Sequence, residues 1–558
     1  MIGLIAATAA GQRGCERLAA AWPDRARVYD GPVREAVTVA FAECEQLVCF
    51  LATGAAVRLI APLLADKATD PGVVCVDEAH RHAVALLGGH GGGANALAAA
   101  VSEVLGTAPV ITTATDAVDA YGLDMLGLPV EGAIAAVSRA MLDGEPVAMR
   151  ADAVWPLPAL PPNVGEAGEA EIRVTDLVVP AGERTAVLRP ASLVVGVGGS
   201  RGVAAEEVLG LVREALEGAG LSARSVAALA TVEAKADEAG IVAAAERLNV
   251  PLLTYAAGTL AGIEVPNPSA APLAAVGTPS VAEAAALAAA GQGGELVVQK
   301  RKSAMATAAV ARRRPRGRLS VVGLGPGARD LLTPRAREEL RRAAVVVGLD
   351  QYVDQIRDLL RPGTRILESG LGAEEERARS AVAEARAGYA VALIGSGDAG
   401  VYAMASPALA EASADIDVVG VPGVTAALAA AAILGAPLGH DHVSISLSDL
   451  HTPWEVIERR VRAAAESDLV VTFYNPRSRG RDWQLPKALA ILGERRTPQT
   501  PVGVVHAASR PDERSEVTTL AALDVTTVDM VTVVTVGNTA TREVAGRMVT
   551  PRGYRWQT

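Results

Sequence analysis

LSVVGLGPG, residues 319–327, decides how the second half of this chain folds. A short apolar run enters a cluster of three glycines, the pattern of a buried strand ending in a tight loop. Glycines let backbone N–H groups approach a ligand closely. Pro326 rules out the G-x-G-x-x-G dinucleotide fingerprint. Further along, three more strand ends repeat the theme: LIGSGD (393–398) stops in a glycine turn with a carboxylate, VPGVTA (421–426) opens an Ala-rich helix, and FYNP (473–476) closes another strand. Ligands of open α/β sheets bind beyond the carboxyl ends of the strands, so the four turns are expected to converge on one crevice.

Outward from this stretch, short β-rich runs alternate with helical ones along all 558 residues. Runs at 47–52, 73–76, 84–87, 193–197, 296–299, 344–348, 390–394, 469–473, 502–506 and 530–536 read as strands, and 204–217 and 281–290 as helices. Half of the residues are hydrophobic but only 3% are aromatic, which favours small-residue helices packed on Val-rich strands. The fold class is therefore α/β and multidomain. Composition breaks divide the chain into 1–130, a Pro-rich, irregular middle region or connector at 131–190, 191–310, a solvated basic linker ARRRPRGR at 311–318, and 319–558.

The net charge of −11 argues against nucleic acid as a partner, although a few arginines can still hold a small anion. Cys15, Cys44, Cys49 and Cys75 form no C-x-x-C pair and read as reduced thiols of a cytoplasmic protein. The N-terminus lacks the basic region of a signal peptide. The apolar run 424–438 is short and broken by Pro437, so no membrane segment is expected.

In order and spacing, the turns from 319 onward resemble the tetrapyrrole (corrin/porphyrin) methylase family. FYNPRSRGRDWQL (473–485) and MVTPRGY (548–554) resemble its precorrin-3B C(17)-methyltransferase branch. The resemblance implies two α/β domains with S-adenosylmethionine in the cleft between them, an anionic precorrin or cobalt-precorrin substrate, and a homodimer formed through this half. By motif position the donor site comprises Gly325, Pro326, Gly327, Ser396, Gly397, Asp398, Val401, Thr425, Ala426, Asn475 and Ala508. Turns 325–327 and 396–398 are expected to face each other across the donor, with Asp398 holding a ribose hydroxyl or the amino group, or else capping the next helix. Ala399 stands where the family usually has Pro. Arg477, Arg479 and Arg481 alternate; in an extended segment they would share one side and bind substrate carboxylates.

In the first half, polar residues gather at strand ends: Asp66, Lys67 and Asp70, then Asp77-Glu78, then GGHGGG (88–93) with Asn95 following. With the blocks at 193–200, TVEAKADEAGIVAAA (231–245) and 277–287, and with Lys300 and Thr307, this half resembles the CbiG family, cobalt-precorrin-5A hydrolase. The implied reaction opens a lactone and releases acetaldehyde. Asp77, Glu78 and His90 are the candidate bases, the 91–93 backbone the candidate oxyanion or carboxylate cradle, and Lys67 and Asn95 candidate substrate contacts. Neither His80, His82 and His90 nor His440 and His442 has convincing metal-site spacing, so no metal is expected. The family's GVGC reads GVGG here, ending in Gly199. An inactive tetrapyrrole-binding first half, or a different macrocycle for the second, remains open, as does whether the acceptor carries cobalt.

Overall fold

The computed structural model describes residues 1–66, 69–113, 122–180, 182–478 and 480–553. They form two compact units: Met1–Val154, Leu160–Pro315 and Arg361–Gly363 make the first; Trp155–Ala159, Arg316–Leu360 and Thr364 onward make the second.

The first unit holds three sheets. In one, Ala26–Val28, Ile2–Ala6, Gln46–Phe50 and Gly72–Val76 run parallel, and His82–Leu87 and Ala108–Val110 complete the order. Every residue of Gly72–Val76 is buried, as a strand covered on both faces requires. All four cysteines are buried and unpaired here. Burial pushes the Cys15 thiol up to about 12, and that of Cys49 higher still, so both are inert packing groups.

The stretch expected to be irregular holds a second sheet of five strands, ordered Val130–Gly132, Thr185–Leu188, Ala170–Val174, Val147–Ala151 and Val164–Gly165. Pro156, Pro158, Pro161 and Pro162 lie between strands, where they break no ladder. A buried guanidinium seals the sheet: Arg189 donates to Glu131 (Nε–Oε1 2.9 Å) and to the Thr175 carbonyl (3.0 Å). The third sheet runs Leu252–Tyr255, Val226–Val232, Leu193–Gly199, Ala306–Arg312 and Glu295–Lys302.

The basic stretch 311–318 contains the boundary between the two units, and most of its arginines are anchored. Its ends belong to the strands Ala306–Arg312 and Arg318–Gly323, and four of its five arginines have internal acceptors. Arg312 pairs with Asp176 (2.7 Å), Arg313 donates to the Ala289 carbonyl (3.1 Å), Arg316 pairs with Asp417 (2.9 Å), and Arg318 with Glu339. A charge run read without its surroundings looks solvated; here the acceptors come from distant positions.

The second unit has two lobes. The first is a parallel sheet ordered Arg365–Ser369, Val345–Leu349, Ala390–Gly395, Arg318–Gly323, Asp417–Val421. Helix Ala426–Leu434 leads on towards the second lobe, whose sheet runs His442–Ser446, Val470–Tyr474, Thr532–Val536, Pro501–His506, Arg514–Thr519. Among the described residues no helix is long and apolar enough to cross a membrane.

Candidate functional site

Three glycine turns close the carboxyl end of the first-lobe sheet. They do not face each other across a gap, as their spacing suggested; they are fused. Gly325 and Gly397 exchange backbone hydrogen bonds of 3.0 and 2.7 Å. A Cβ on Gly423 would lie 2.1 Å from the Gly397 oxygen, and one on Gly323 would lie 2.7 Å from the Gly423 nitrogen. Gly325 and Gly397 have φ of +76° and +67°, where glycine is unstrained.

Asp398 fastens this knot. Its Oδ1 accepts from the Gly400 N–H at 2.8 Å and its Oδ2 from the Gly423 N–H at 3.0 Å. Both oxygens thus have backbone partners, and Asp398 acts on the shape of the turn.

Beyond the knot lies a cavity of about 570 Å³ within the second unit, where the two lobes meet. Val401 and Thr425, both expected at the donor, line it, with Tyr402, Leu428, Ser444 and Tyr474. The Tyr474 oxygen accepts from the Ala427 N–H at 2.9 Å and shares a short hydrogen bond with Thr425 Oγ1. Tyr402, at φ +52°, donates to the Ser444 carbonyl at 2.7 Å, and its ring lies 5.2 Å from that of Tyr474. Burial raises the Tyr402 pKa, so the phenol stays a donor at neutral pH.

The remaining expected donor residues take varied roles. Pro326 accepts from Arg510 Nε at 3.0 Å, and Ala328 N–H donates to Ser509 Oγ at 3.3 Å, which ties the first glycine loop to the segment containing buried Ala508. Asn475, at φ +48°, donates to Ser446 Oγ at 3.1 Å. Ser396 and Gly327 complete the first-lobe turns, and Ala426 begins the helix at the cavity. The sequence reading passed over Tyr402, Tyr474, Ser444 and Arg510. Only Tyr474 had a local signal, in the FYNP strand end.

The arginine run departs from expectation. Ser478 and Arg481 exchange two 3.0 Å backbone bonds, so the segment folds back and is not extended. Arg477 donates to the carbonyls of Val525 and Thr526 (3.1 and 2.9 Å), and Arg481 to those of Leu447 and Asn475 (2.9 and 2.6 Å). Arg479 lies outside the described residues.

In the first unit, Asp77 Oδ1 accepts from the N–H groups of Arg81 (2.8 Å) and His82 (2.6 Å). Burial works against its charge, but the His82 and Arg81 N–H groups outweigh it and hold the carboxyl below the usual range. Asp77 therefore braces a turn. Exposed Glu78 accepts from Thr8 Oγ1 at 2.6 Å. In the glycine loop the Gly93 N–H donates to His90 O (2.9 Å), and at the start of the following helix Ala94 donates to Gly88 O (3.1 Å) and Asn95 to Gly89 O (3.0 Å). Asn95 Nδ2 donates to Thr113 Oγ1 at 2.8 Å. Lys67 is outside the described residues. In the connections and helices around the third sheet, Lys235 pairs with Glu238 at 3.0 Å, and fully buried Glu283 accepts from the Lys300 N–H at 3.0 Å.

A two-lobed α/β enzyme with a glycine-turn cleft is thereby defined, and comparison with known proteins gives its kind. The family described as Tetrapyrrole (Corrin/Porphyrin) Methylases matches residues 318–524. Cobalamin synthesis G N-terminal matches 35–116, and Cobalamin synthesis G C-terminus matches 193–311. The chain belongs to the tetrapyrrole methylase family and is a methyltransferase fused to the two cobalamin synthesis G domains. It is 47% identical over 239 residues, 42% of this chain and 99% of the relative, to a probable cobalt-factor III C(17)-methyltransferase of Salmonella typhimurium. To the precorrin-3B C(17)-methyltransferase of Sinorhizobium sp it is 42% identical over 249 residues, 43% of this chain and 97% of the relative. The crystal structure of the methyltransferase CobJ matches 42% of this chain and 100% of its own, at 40% identity and a TM-score of 0.40.

Proposed function

We propose that the second unit methylates C-17 of precorrin-3B or its cobalt form, with ring contraction, using S-adenosylmethionine. The carrying observation is the cavity where the Asp398-fastened knot meets Thr425 and Tyr474. Its lining suits the donor: Val401 and Leu428 offer apolar walls for a flat base, and Thr425, Ser444 and Tyr402 offer polar groups for a sugar and an amino acid. When bound, the donor supplies a methyl group on a cationic sulfur, which leaves as a neutral thioether. The protein's part is alignment: fused turns and two tyrosines, each hydrogen-bonded to a neighbouring segment, fix the walls against which donor and acceptor meet. Binding of S-adenosylhomocysteine by the purified chain, followed by mass spectrometry of the product from labelled donor with metal-free or cobalt-bearing acceptor, tests this reading. No mass gain with either acceptor refutes it.

For the first unit, we propose lactone opening and acetaldehyde release from cobalt-precorrin-5A, with Glu78 and His90 as the candidate acid–base groups and Asp77 as a brace. The missing Cys does not weigh against activity. A Cβ on Gly199 would meet Val203 Cγ1 at 3.0 Å and Ile241 Cδ1 at 3.5 Å, so a side chain there points into an apolar core. Loss of a general base typically costs ~10²–10⁴-fold. Glu78→Gln or His90→Ala should lower acetaldehyde release by that order and leave methyl transfer intact. Full release in both variants would move the site elsewhere in the unit.

A further inference from the structure

A second cavity, of about 470 Å³, lies at the other end of the second-lobe sheet, lined in part by Arg495, Arg496, Thr497, Thr500, Asn538 and Thr541. Strand Pro501–His506 starts there and runs toward Ala508, spanning about 16 Å at about 3.3 Å per residue. Arg496 is 5% exposed. Its Nη2 donates to the Leu469 carbonyl, while Nε and Nη1 are buried and meet no acceptor among the described residues. Stranded donors of this kind are rare in folded proteins because they forfeit water without replacement.

The neighbouring negative groups are already engaged. Asp468 accepts from the Thr539 N–H at 3.0 Å and from its hydroxyl. Glu494 pairs with Arg462 at 3.0 Å. Burial drives the Arg496 pKa down to about 10, with Asp468 opposing, so the guanidinium remains charged at neutral pH.

We propose that this cavity is an anion site, taking a compact oxyanion (a phosphate or a carboxylate group) on Arg496 and Arg495. A guanidinium fork matches two oxygens of such a group, and the threonine hydroxyls supply further donors. An anion drawn in would meet the exposed Arg495 and the threonine hydroxyls, beside the buried positive charge of Arg496. The site is separate from the donor cleft and does not depend on which macrocycle is methylated.

Calorimetric titration of the full chain with inorganic phosphate, and separately with citrate, tests the proposal and distinguishes phosphate from carboxylate. One of them should bind saturably. Exposed Arg495→Ala should weaken it about tenfold, the scale of one charged hydrogen bond, and Arg496→Gln should abolish it. S-adenosylhomocysteine affinity should be the same with and without the anion. If Arg496→Gln fails to fold, Arg495→Ala decides. No saturable binding of either anion at millimolar concentration, or wild-type binding in Arg495→Ala, overturns the proposal.

Discussion

Asp398 is placed to act through shape. Its two oxygens hold Gly400 and Gly423, so Asp398→Asn exchanges one acceptor for a donor opposite an N–H. Hydrogen bonds to a charged group are worth about 1.5–3 kcal/mol. Affinity for S-adenosylhomocysteine should therefore fall about tenfold or more, by calorimetry, with the fold retained. Arg481 gives the opposite lesson. Its guanidinium braces two carbonyls, so Arg481→Ala should lower the melting temperature of the second unit, where a free carboxylate-binding arginine would leave it unchanged. At Gly199 the expected outcome is silence: Gly199→Cys packs a thiol against Val203 and Ile241, and acetaldehyde release should not change. Asp77 has a sign that can be checked against pH. Its folded pKa is depressed, so its bracing is present above the unfolded carboxylate value and is lost as pH falls through the lower folded one. Relative to wild type, the Asp77→Asn deficit in stability should therefore be largest near neutrality and shrink in acid.

At the scale of elements, parallel strands Arg318–Gly323 and Ala390–Gly395 end side by side, and their terminal turns knit into one another and into the turn before Ala426–Leu434. Two glycine substitutions should separate conformation from contact. Gly397→Ala places a methyl 3.5 Å from the Thr425 Cα, an ordinary contact, so its cost is the left-handed backbone alone, about 1–2 kcal/mol. Gly423→Ala drives a methyl to 2.1 Å from a backbone oxygen and must part the turns. It should destabilise the second unit more than Gly397→Ala and abolish S-adenosylhomocysteine binding; equal melting temperatures in the two variants would contradict the knot.

On the scale of the molecule, each unit has hydrophobic cores of its own. Scanning calorimetry should resolve two transitions rather than one. A ligand that binds one folded unit stabilises it by about 2.7 kcal/mol at a hundred times its dissociation constant. S-adenosylhomocysteine should therefore raise the transition of the second unit and leave the other in place; a single transition that moves whole would show that the units melt together.

The order of strands and helices was legible in the sequence because the signals are local. Apolar runs such as 319–323 and 390–394, and the glycines that stop them, act over a few residues, and the turns they form converge at the ends of one sheet as α/β topology requires. The family was legible for the same reason, since FYNPRSRGRDWQL and the glycine turns are contiguous strings. What only the tertiary structure decided is the partner of each polar side chain. Asp398 meets Gly423, Arg312 meets Asp176, Arg481 turns back onto Leu447, and Tyr402 reaches Ser444. Those partners lie 25 to 136 residues apart in the chain. Buried donors and acceptors are satisfied by whatever packing brings within about 3 Å, and no period or turn rule spans such separations. Hence the sequence by itself determined the strands, the turns and the kind of enzyme, while packing alone decided which residues brace the cleft and which are left to bind.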